Sequence, residues 1–347
     1  MSSEFNSDNY VHVLAERVAR EFAFRGRTPQ DVESWQRAFR PRLRAALGLD
    51  RIEQAGRCDL APRKLGEEML DDHIREEWTI ETEPGYRIPF YFLRPLRQDG
   101  PLPLVITPHG HGKLGKSTYV GIWHTEEERT SIAEGERDIA LQAVRAGCVA
   151  IAPDMRAFAS MRMKQQRDED ACNSCRTLQM HALLFGRTLI GERVWDIGRL
   201  IDYAATRPEA DLTRVAVTGN SGGGTVSLFA SACDERIALG MPSCYFCTFE
   251  HSIGSIRHCE CNYVPGIMTL GEMYDVAGLI CPRPLLIVAG KEDAIFPIDA
   301  VRFAHEQVRK VYQAAGVPER CRLSVGEGGH RYYKKDVWPF VREFFGD

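Results

Sequence analysis

The sequence predicts an α/β protein in which strands alternate with helices along most of the chain. Short apolar runs, each followed by a helical pattern, recur from residue 102 to the last residues of the sequence. Such alternation is typical of a mostly parallel, doubly wound sheet with crossover helices on both faces. Two segments depart from it: a helical segment near the N-terminus, and a cysteine- and aromatic-rich insert at residues 242–275 that we expect to form a lid.

Composition excludes several classes of protein. Of the 347 residues, 44% are hydrophobic and 27% are charged, with a net charge of −4, as in ordinary globular proteins. This charge gives no reason to expect a nucleic-acid partner, and no apolar run approaches the ~20 residues of a membrane span. The first residues lack the basic and apolar regions of a secretory signal, so the cytoplasm is the expected location; the alternative is that a native signal has been removed from this sequence. A homo-oligomeric state is left open.

The first 75 residues are predicted to form a helical accessory segment that packs on a main domain at residues 76–347. Thr28 followed by Pro29 is a helix start, because it places a capping residue before a proline in the first turn. Apolar and aromatic side chains then recur at helical spacing. Gly48 supplies the stop.

The spacing of apolar side chains along the sequence predicts the remaining strands and helices. Pro84-Gly85 is a turn signal between two β-type runs, which indicates a hairpin. Further strands, near-continuous apolar runs suited to a sheet buried on both faces, are expected at residues 102–107, 148–152, 215–217, 237–241, 284–289 and 322–325. Helices are expected at residues 133–146, 188–206, 298–315 and 335–345, and one more begins near residue 225.

Residues 214–229 carry the most informative motif. A short apolar strand runs into Gly219-Asn-Ser221-Gly-Gly223 and then into a helix. A serine in a tight strand-to-helix turn needs neighbours without Cβ atoms, so that the chain reverses while its Oγ stays exposed. A phosphate loop would need a lysine after its glycines, and none is present. The motif resembles the nucleophile elbow of the α/β-hydrolases, which makes Ser221 the candidate nucleophile.

A serine hydroxyl needs a base, and the base needs an orienting acid. In hydrolases with this elbow the three residues follow one another along the chain as serine, acid and histidine. Asp293 lies on the loop beyond the strand at 284–289, and His330 lies on a glycine-rich loop after the last strand. Glu292 and Asp299 are rival acids, but Asp299 is expected in the first turn of the next helix, where an acid favours the helix dipole.

The oxyanion hole is expected to combine two backbone N–H groups. The first belongs to Gly222, next to the nucleophile, and the second to His111 on the loop after an early strand, with Gly112 as the alternative. The side chain of His109 is predicted either to bind substrate or to stabilise this loop. Residues 155–185 and 242–275 are predicted to be insertions over the active site. Substrate contacts are predicted for three side chains of the second insertion: Tyr245, Arg257 (alternatively a solvated arginine) and His258.

The sequence contains eleven cysteines, an odd number that cannot form a closed set of disulfides and that indicates reduced thiols. They cluster as Cys172-x-x-Cys175, Cys244-x-x-Cys247 and His258-Cys259-x-Cys261. Two C-x-x-C pairs can form a tetrathiolate zinc site, but about 70 residues separate these pairs. Buried apolar thiols are the preferred interpretation, and neither a metal nor a cofactor is expected.

The chain resembles the acetyl xylan esterase and dienelactone-hydrolase-like branch of the α/β-hydrolases, which is related to prolyl-oligopeptidase-type catalytic domains. The resemblance covers about residues 75–347 and implies a cofactor-independent serine carboxylesterase for small-molecule esters with short acyl groups such as acetyl, including those of carbohydrates. Asn220 in the elbow and the cysteine-rich insert depart from the usual pattern. The motifs that carry the resemblance are at residues 109–112, 152–156, 193–203, 217–224, 290–297 and 328–330.

Two other functions stay open at this point. A peptidase or acyl-peptide hydrolase would use the same triad on a different substrate. A non-catalytic binding protein with the hydrolase fold would hold zinc at the cysteine clusters. The second is disfavoured, because all three triad positions carry residues that are competent for catalysis.

Overall fold

The computed structural model describes Ser7 and residues 10–346, and a nine-stranded sheet runs through this part of the chain. In chain order the strands are β1 (Arg63–Met69), β2 (His73–Glu83), β3 (Tyr86–Pro95), β4 (Leu102–Ile106), β5 (Val149–Pro153), β6 (Ala210–Asn220), β7 (Leu239–Ser243), β8 (Leu285–Gly290) and β9 (Cys321–Gly326). Their spatial order is β1-β2-β3-β5-β4-β6-β7-β8-β9. The pairs β1–β2, β2–β3 and β3–β5 are antiparallel, and all later neighbours are parallel.

Helices connect the strands and cover the sheet. In chain order they are α1 (Tyr10–Arg17), α2 (Pro29–Leu47), α3 (Leu49–Gln54), α4 (Lys116–Tyr119), α5 (Glu126–Glu134), α6 (Ile139–Arg145), α7 (Lys164–Asp168), α8 (Cys175–Leu184), α9 (Leu189–Ala204), α10 (Gly222–Cys233), α11 (Ile267–Leu270), α12 (Met273–Gly278), α13 (Ile298–Ala314) and α14 (Val337–Phe345). None of the helices in the described residues combines the length and the apolar composition that a bilayer crossing needs.

Two separate clusters of buried side chains lie on the two faces of the sheet. Successive residues of β4 divide between them: Leu104 and Ile106 belong to one cluster, and Val105 to the other. This division follows from the period of two along a strand. The first cluster contains side chains of α2, α9, α10, α12 and α13, and the second those of α6 and α14. The predicted mostly parallel, doubly wound sheet with helices on both faces is therefore confirmed.

Several predicted elements are found within one to three residues of their expected bounds. Thr28 caps α2 by accepting a hydrogen bond from Asp31, and Gly48 ends that helix at a φ of 80°. The predicted hairpin is the pair β2 and β3, and its turn contains Gly85 at a φ of 76°. Thr188 accepts the N–H of Gly191 and so starts α9. These features depend on local chemistry, which is why the sequence reveals them.

The single helix predicted at residues 133–146 is wrong, because two helices occupy this stretch. A capping box between Thr125 and Glu128 starts α5 seven residues earlier than expected. The chain then breaks at Gly135 and Glu136, the latter at a φ of 50°, and α6 begins only at Ile139. The sequence also does not predict β1, because all seven of its residues are exposed and they show no apolar alternation.

The N-terminal helix α2 packs directly on the main sheet domain. Its side chains Phe39, Leu43 and Leu47 are fully buried, in the same cluster as the inner faces of α10, α12 and α13. Gln36 donates two hydrogen bonds to backbone carbonyls near the end of α12, those of Gly278 and Cys281. Residues 29–47 thus share the core that supports α10, the helix that begins beside Ser221.

Candidate active site

Ser221 stands between the end of β6 and the first residue of α10. Its backbone has φ 58° and ψ −118°, a region that residues other than glycine rarely adopt. A conformation of this kind costs about 1–3 kcal/mol and persists only where the surrounding structure enforces it. The backbone N–H of Ser221 donates to the carbonyl of Ser243 at the end of β7, at 2.9 Å, which holds the turn in place.

Glycines beside the serine allow the turn to close against the loop after β4. A Cβ added to Gly219 or Gly223 would lie 2.1 or 2.0 Å from the carbonyl oxygen of Pro108. A Cβ on Gly110, in that same loop, would lie 3.0 Å from the backbone nitrogen of Gly222 and 3.2 Å from the Cβ of Ser221. The predicted oxyanion loop therefore passes directly against the predicted nucleophile.

Gly223→Ala is expected to destabilise the protein by about 2–3 kcal/mol and to abolish turnover, because its methyl group would displace the loop at Pro108. Urea unfolding followed by circular dichroism, together with an esterase assay, would measure both effects. Gly66→Ala is the matched control, since a Cβ there meets no atom within 4 Å. An active and equally stable Gly223→Ala variant would contradict the close approach of the two segments.

Asp293 and His330 form a hydrogen-bonded pair at the ends of β8 and β9. Asp293 Oδ2 lies 2.7 Å from His330 Nδ1. The other oxygen, Oδ1, accepts the backbone N–H groups of Ile295 and Phe296, at 2.9 and 3.3 Å. Asp293 is 4% exposed. A carboxylate fixed in this way selects the His330 tautomer with its proton on Nδ1, which leaves Nε2 free to accept a proton.

The rival acids lie elsewhere. Glu292 and Asp299 are exposed, and Asp299 lies in the first turn of α13 as expected. Neither is a hydrogen-bond partner of His330 among the described residues. The geometry therefore supports Asp293 over both alternatives.

Ser221 and His330 line one cavity of about 740 Å³, together with Gly222, His111 and Gly112. The described residues form no hydrogen bond between Ser221 Oγ and His330. Such bonds are often long in a protein without substrate and tighten when substrate binds. The nucleophile, the base and both predicted sources of oxyanion donors thus face one common space. A volume of this size is typical of small-molecule sites.

The positions of Gly222 and His111 fit an oxyanion hole. Gly222 is the first residue of α10, where backbone N–H groups have no partner inside the helix. The ring of His111 packs edge-on against Phe158, at a centroid distance of 4.5 Å. Its Nδ1 lies 3.7 Å from the point that a Cβ on Gly222 would occupy.

His109 is 2% exposed and its ring is engaged by the protein itself. Its Nδ1 lies 2.8 Å from the carbonyl of Gly110, and its Nε2 accepts the N–H of Met155 at 3.1 Å. Nε2 also lies 3.3 Å from Asp154 Oδ1. Of the two roles that the sequence left open, the geometry favours stabilisation of the loop over substrate binding.

The three side chains predicted for substrate contact all line the cavity. Arg257 is exposed. Tyr245 is buried at 1% exposure, between the rings of Phe229 and Phe296. Burial lowers the pKa of His258, so its imidazole is held in the neutral form. The insertion at 242–275 therefore contributes to the cavity wall, whereas residues 155–185 supply none of its lining residues and lie behind His111 instead.

Cys244 lies close to Asp293 and His330, a contact that the sequence did not predict. It follows β7 at a φ of 46°, and its Sγ lies within 4.8 Å of ligand atoms of Asp293 and His330. Burial and the neighbouring Asp293 carboxylate raise the pKa of this thiol to about 12, so it stays protonated. Its C-x-x-C spacing with Cys247 drew attention to Cys244 in the sequence, but only the fold brings its thiol close to Asp293 and His330.

Comparisons with known proteins identify relatives among hydrolases and esterases. A family model described as "Glucuronyl esterase, fungi" matches residues 136–245, which include the elbow. "Putative hydrolase YtaP" of Bacillus subtilis (strain 168) is 25% identical over 287 residues, which cover 77% of this chain and 88% of that protein. The 4-O-methyl-glucuronoyl methylesterase 1 of Wolfiporia cocos (strain MD-104) is 27% identical over 180 residues, 44% of each chain.

Solved structures resemble the whole molecule. The crystal structure of a putative acetyl xylan esterase from Bacteroides fragilis NCTC 9343 superposes with a TM-score of 0.82 at 16% sequence identity, covering 99% of this chain and 95% of that one. At such identity the likeness concerns the fold. It confirms the α/β-hydrolase fold that the elbow motif predicted.

Proposed function

We propose that this α/β-hydrolase is a serine carboxylesterase that cleaves esters of carbohydrates. One observation carries the proposal: a strained serine at a strand-to-helix turn opens into the same cavity as a histidine whose Nδ1 is held by a buried carboxylate. The glucuronyl esterase model that matches residues 136–245 supports the choice of an ester bond over an amide bond.

The mechanism follows from the geometry of the site. Ser221 Oγ attacks the ester carbonyl while His330 Nε2 takes its proton, and Asp293 stabilises the resulting imidazolium. The backbone N–H groups of Gly222 and His111 bind the oxyanion of the tetrahedral intermediate. His330 then protonates the departing alcohol. Water, deprotonated by His330, releases the acyl group from Ser221.

The lining of the cavity contains charged and amide side chains that suit a polar substrate. Cationic, anionic and amide side chains line part of it, beside apolar side chains such as Ile132, Ile256 and Phe296. The polar members are Lys113, Glu127, Glu128, Arg137, Asn220, Arg257 and Asn262. Such groups can hydrogen-bond to sugar hydroxyls, whereas they would lose hydration without compensation against an acyl chain.

The experiment that tests this proposal compares kcat/KM across three groups of substrates. The groups are p-nitrophenyl acetate, butyrate and octanoate; an acetylated xylo-oligosaccharide beside a glucuronate methyl ester; and a peptide p-nitroanilide. We expect kcat/KM to fall as the acyl chain lengthens and to be highest for one of the two carbohydrate esters. A preference for the acetylated oligosaccharide would place the sugar on the alcohol side of the ester bond, and a preference for the glucuronate ester would place it on the acyl side. A preference for octanoate or cleavage of the anilide would contradict the proposal.

Arg257→Ala is expected to raise KM for the preferred carbohydrate ester by about 10-fold, since a hydrogen bond from a charged group contributes about 1.5–3 kcal/mol. The increase for p-nitrophenyl acetate should be smaller, because that substrate has no sugar hydroxyls. Arg302→Ala is the control, as Arg302 is exposed on α13 and does not line the cavity. Equal KM values for the two variants would show that Arg257 is a solvated side chain that does not contact the substrate.

A further inference from the structure

Three cysteines and a histidine from distant parts of the chain meet behind the oxyanion loop. They are His111 after β4, Cys175 at the start of α8, and Cys259 and Cys261 of the insertion at 242–275. Their ligand atoms all lie within 4.8 Å of one another. This set differs from the two C-x-x-C pairs that the sequence suggested as a zinc site. It contains Cys175 of the first pair and no cysteine of the second pair, and it adds both cysteines of the Cys259-x-Cys261 motif.

The spacing within this cluster is close to that of a tetrahedral metal site. Zinc bonds of 2.3 Å to sulfur and about 2.0–2.1 Å to nitrogen place sulfur atoms about 3.8 Å apart, and nitrogen about 3.6 Å from sulfur. Here His111 Nε2 lies 3.9 Å from the Sγ atoms of both Cys175 and Cys261. The Sγ atoms of Cys259 and Cys261 are 3.3 Å apart. These three distances lie within about 0.5 Å of the tetrahedral values, and the other three are no longer than 4.8 Å.

The charge of Arg193 is an independent observation that points to an anionic group here. This side chain is fully buried, and no carboxylate among the described residues forms an ion pair with it. Its Nη2 donates to the carbonyl of Arg156 and to Cys175 Sγ, at 2.7 and 3.6 Å, whereas its buried Nη1 has no hydrogen-bond partner in the described chain. The ring centroid of Phe158 lies 4.1 Å from the guanidinium carbon, but a buried cation is stabilised most by a neighbouring negative charge.

A zinc ion bound to three thiolates and one neutral imidazole would supply that charge, because the complex carries a single net negative charge. A neighbouring side chain also provides a hydrogen-bond donor for one of these sulfur atoms. Asn262 Nδ2 donates to Cys261 Sγ at 3.6 Å, and donors of this kind orient metal ligands.

We propose that His111, Cys175, Cys259 and Cys261 form a structural Zn²⁺ site that ties the oxyanion loop to α8 and to the 242–275 insertion. Soft sulfur ligands favour zinc over magnesium or calcium, and four protein ligands leave no open position for substrate. Zinc on Nε2 of His111 fixes the proton on Nδ1. That nitrogen lies on the side of the ring toward Gly222. The zinc site therefore fixes the position of His111 beside the predicted oxyanion hole.

The test is metal content, which does not depend on the proposed esterase function. The full chain, produced with added zinc and purified under reducing conditions without chelator, is expected to contain one zinc per molecule by plasma mass spectrometry. Cys261→Ala should lower zinc affinity by at least about 10-fold. Cys172→Ala is the matched control, since Cys172 is exposed, precedes the same helix and stands outside the cluster.

A second measurement covers the case in which Cys261→Ala does not fold. Wild-type protein reconstituted with Co²⁺ should show the visible bands of a tetrahedral thiolate complex, and a chelator should lower its thermal midpoint, because a ligand of the folded state stabilises it. Folded wild-type protein that takes up neither metal from excess solution overturns the proposal. So does a disulfide among Cys175, Cys259 and Cys261 in the freshly isolated, metal-free chain.

Discussion

Replacing Ser221 by alanine is expected to lower kcat for ester hydrolysis by about 10⁶-fold. The variant lacks the oxygen that attacks the ester, so His330 and Asp293 have no nucleophile to activate. What turnover is left comes from substrate binding and the oxyanion donors alone. Steady-state assays with p-nitrophenyl acetate, supported by a thermal melt that shows an unchanged fold, would measure the loss.

Ser227→Ala is the matched control for this experiment. Ser227 lies on the same helix, α10, and its hydroxyl donates to the carbonyl of Gly223 at 2.8 Å within the helix. Loss of that bond should leave kcat within a small factor of the wild-type value. A Ser221→Ala variant as active as Ser227→Ala would remove the basis of the proposed mechanism.

Asp293→Asn is expected to lower kcat by about 10⁴-fold with little change in the fold. Asparagine fills the same space, and its carbonyl can accept the N–H groups of Ile295 and Phe296 that now bind Oδ1. Its NH₂ group then faces His330 Nδ1 and favours the tautomer with the proton on Nε2, which cannot accept the proton of Ser221.

The neighbouring acid provides the control for this second prediction. Glu292→Gln removes an exposed carboxylate one residue away and should leave kcat unchanged. Rates measured for both variants with p-nitrophenyl acetate would decide between the two acids. A large loss in Glu292→Gln with none in Asp293→Asn would reassign the orienting carboxylate.

Those parts of the fold and of the candidate site that depend on local patterns could be predicted from the sequence. The elbow at Ser221 is recognisable because its glycines, strand and helix are contiguous. Asp293 and His330 follow from chain order, since parallel strands bring their carboxyl ends to one edge of the sheet. By contrast, β1 is exposed and polar, so no apolar pattern marks it.

The cysteine cluster could not be predicted from spacing, because its ligands come from three segments far apart in sequence. Cys175 and Cys261 are 86 positions apart, and only the docking of α8 against the turn at Glu260–Asn262 brings them together. His111 belonged to a different prediction, that of the oxyanion loop. The buried position of Arg193 inside α9, which marks the cluster electrostatically, follows from tertiary packing and leaves no local signal.

The proposed mechanism depends most on the activation of Ser221 as a nucleophile by His330 and Asp293. Reaction of the wild-type protein with a fluorophosphonate probe, followed by digestion and mass spectrometry, tests it most directly, because the probe needs the activated hydroxyl and not a particular substrate. We expect one probe per chain, on Ser221, and slow labelling of Asp293→Asn. A folded wild-type protein that carries no probe on Ser221, or carries it on another residue, would contradict the claim.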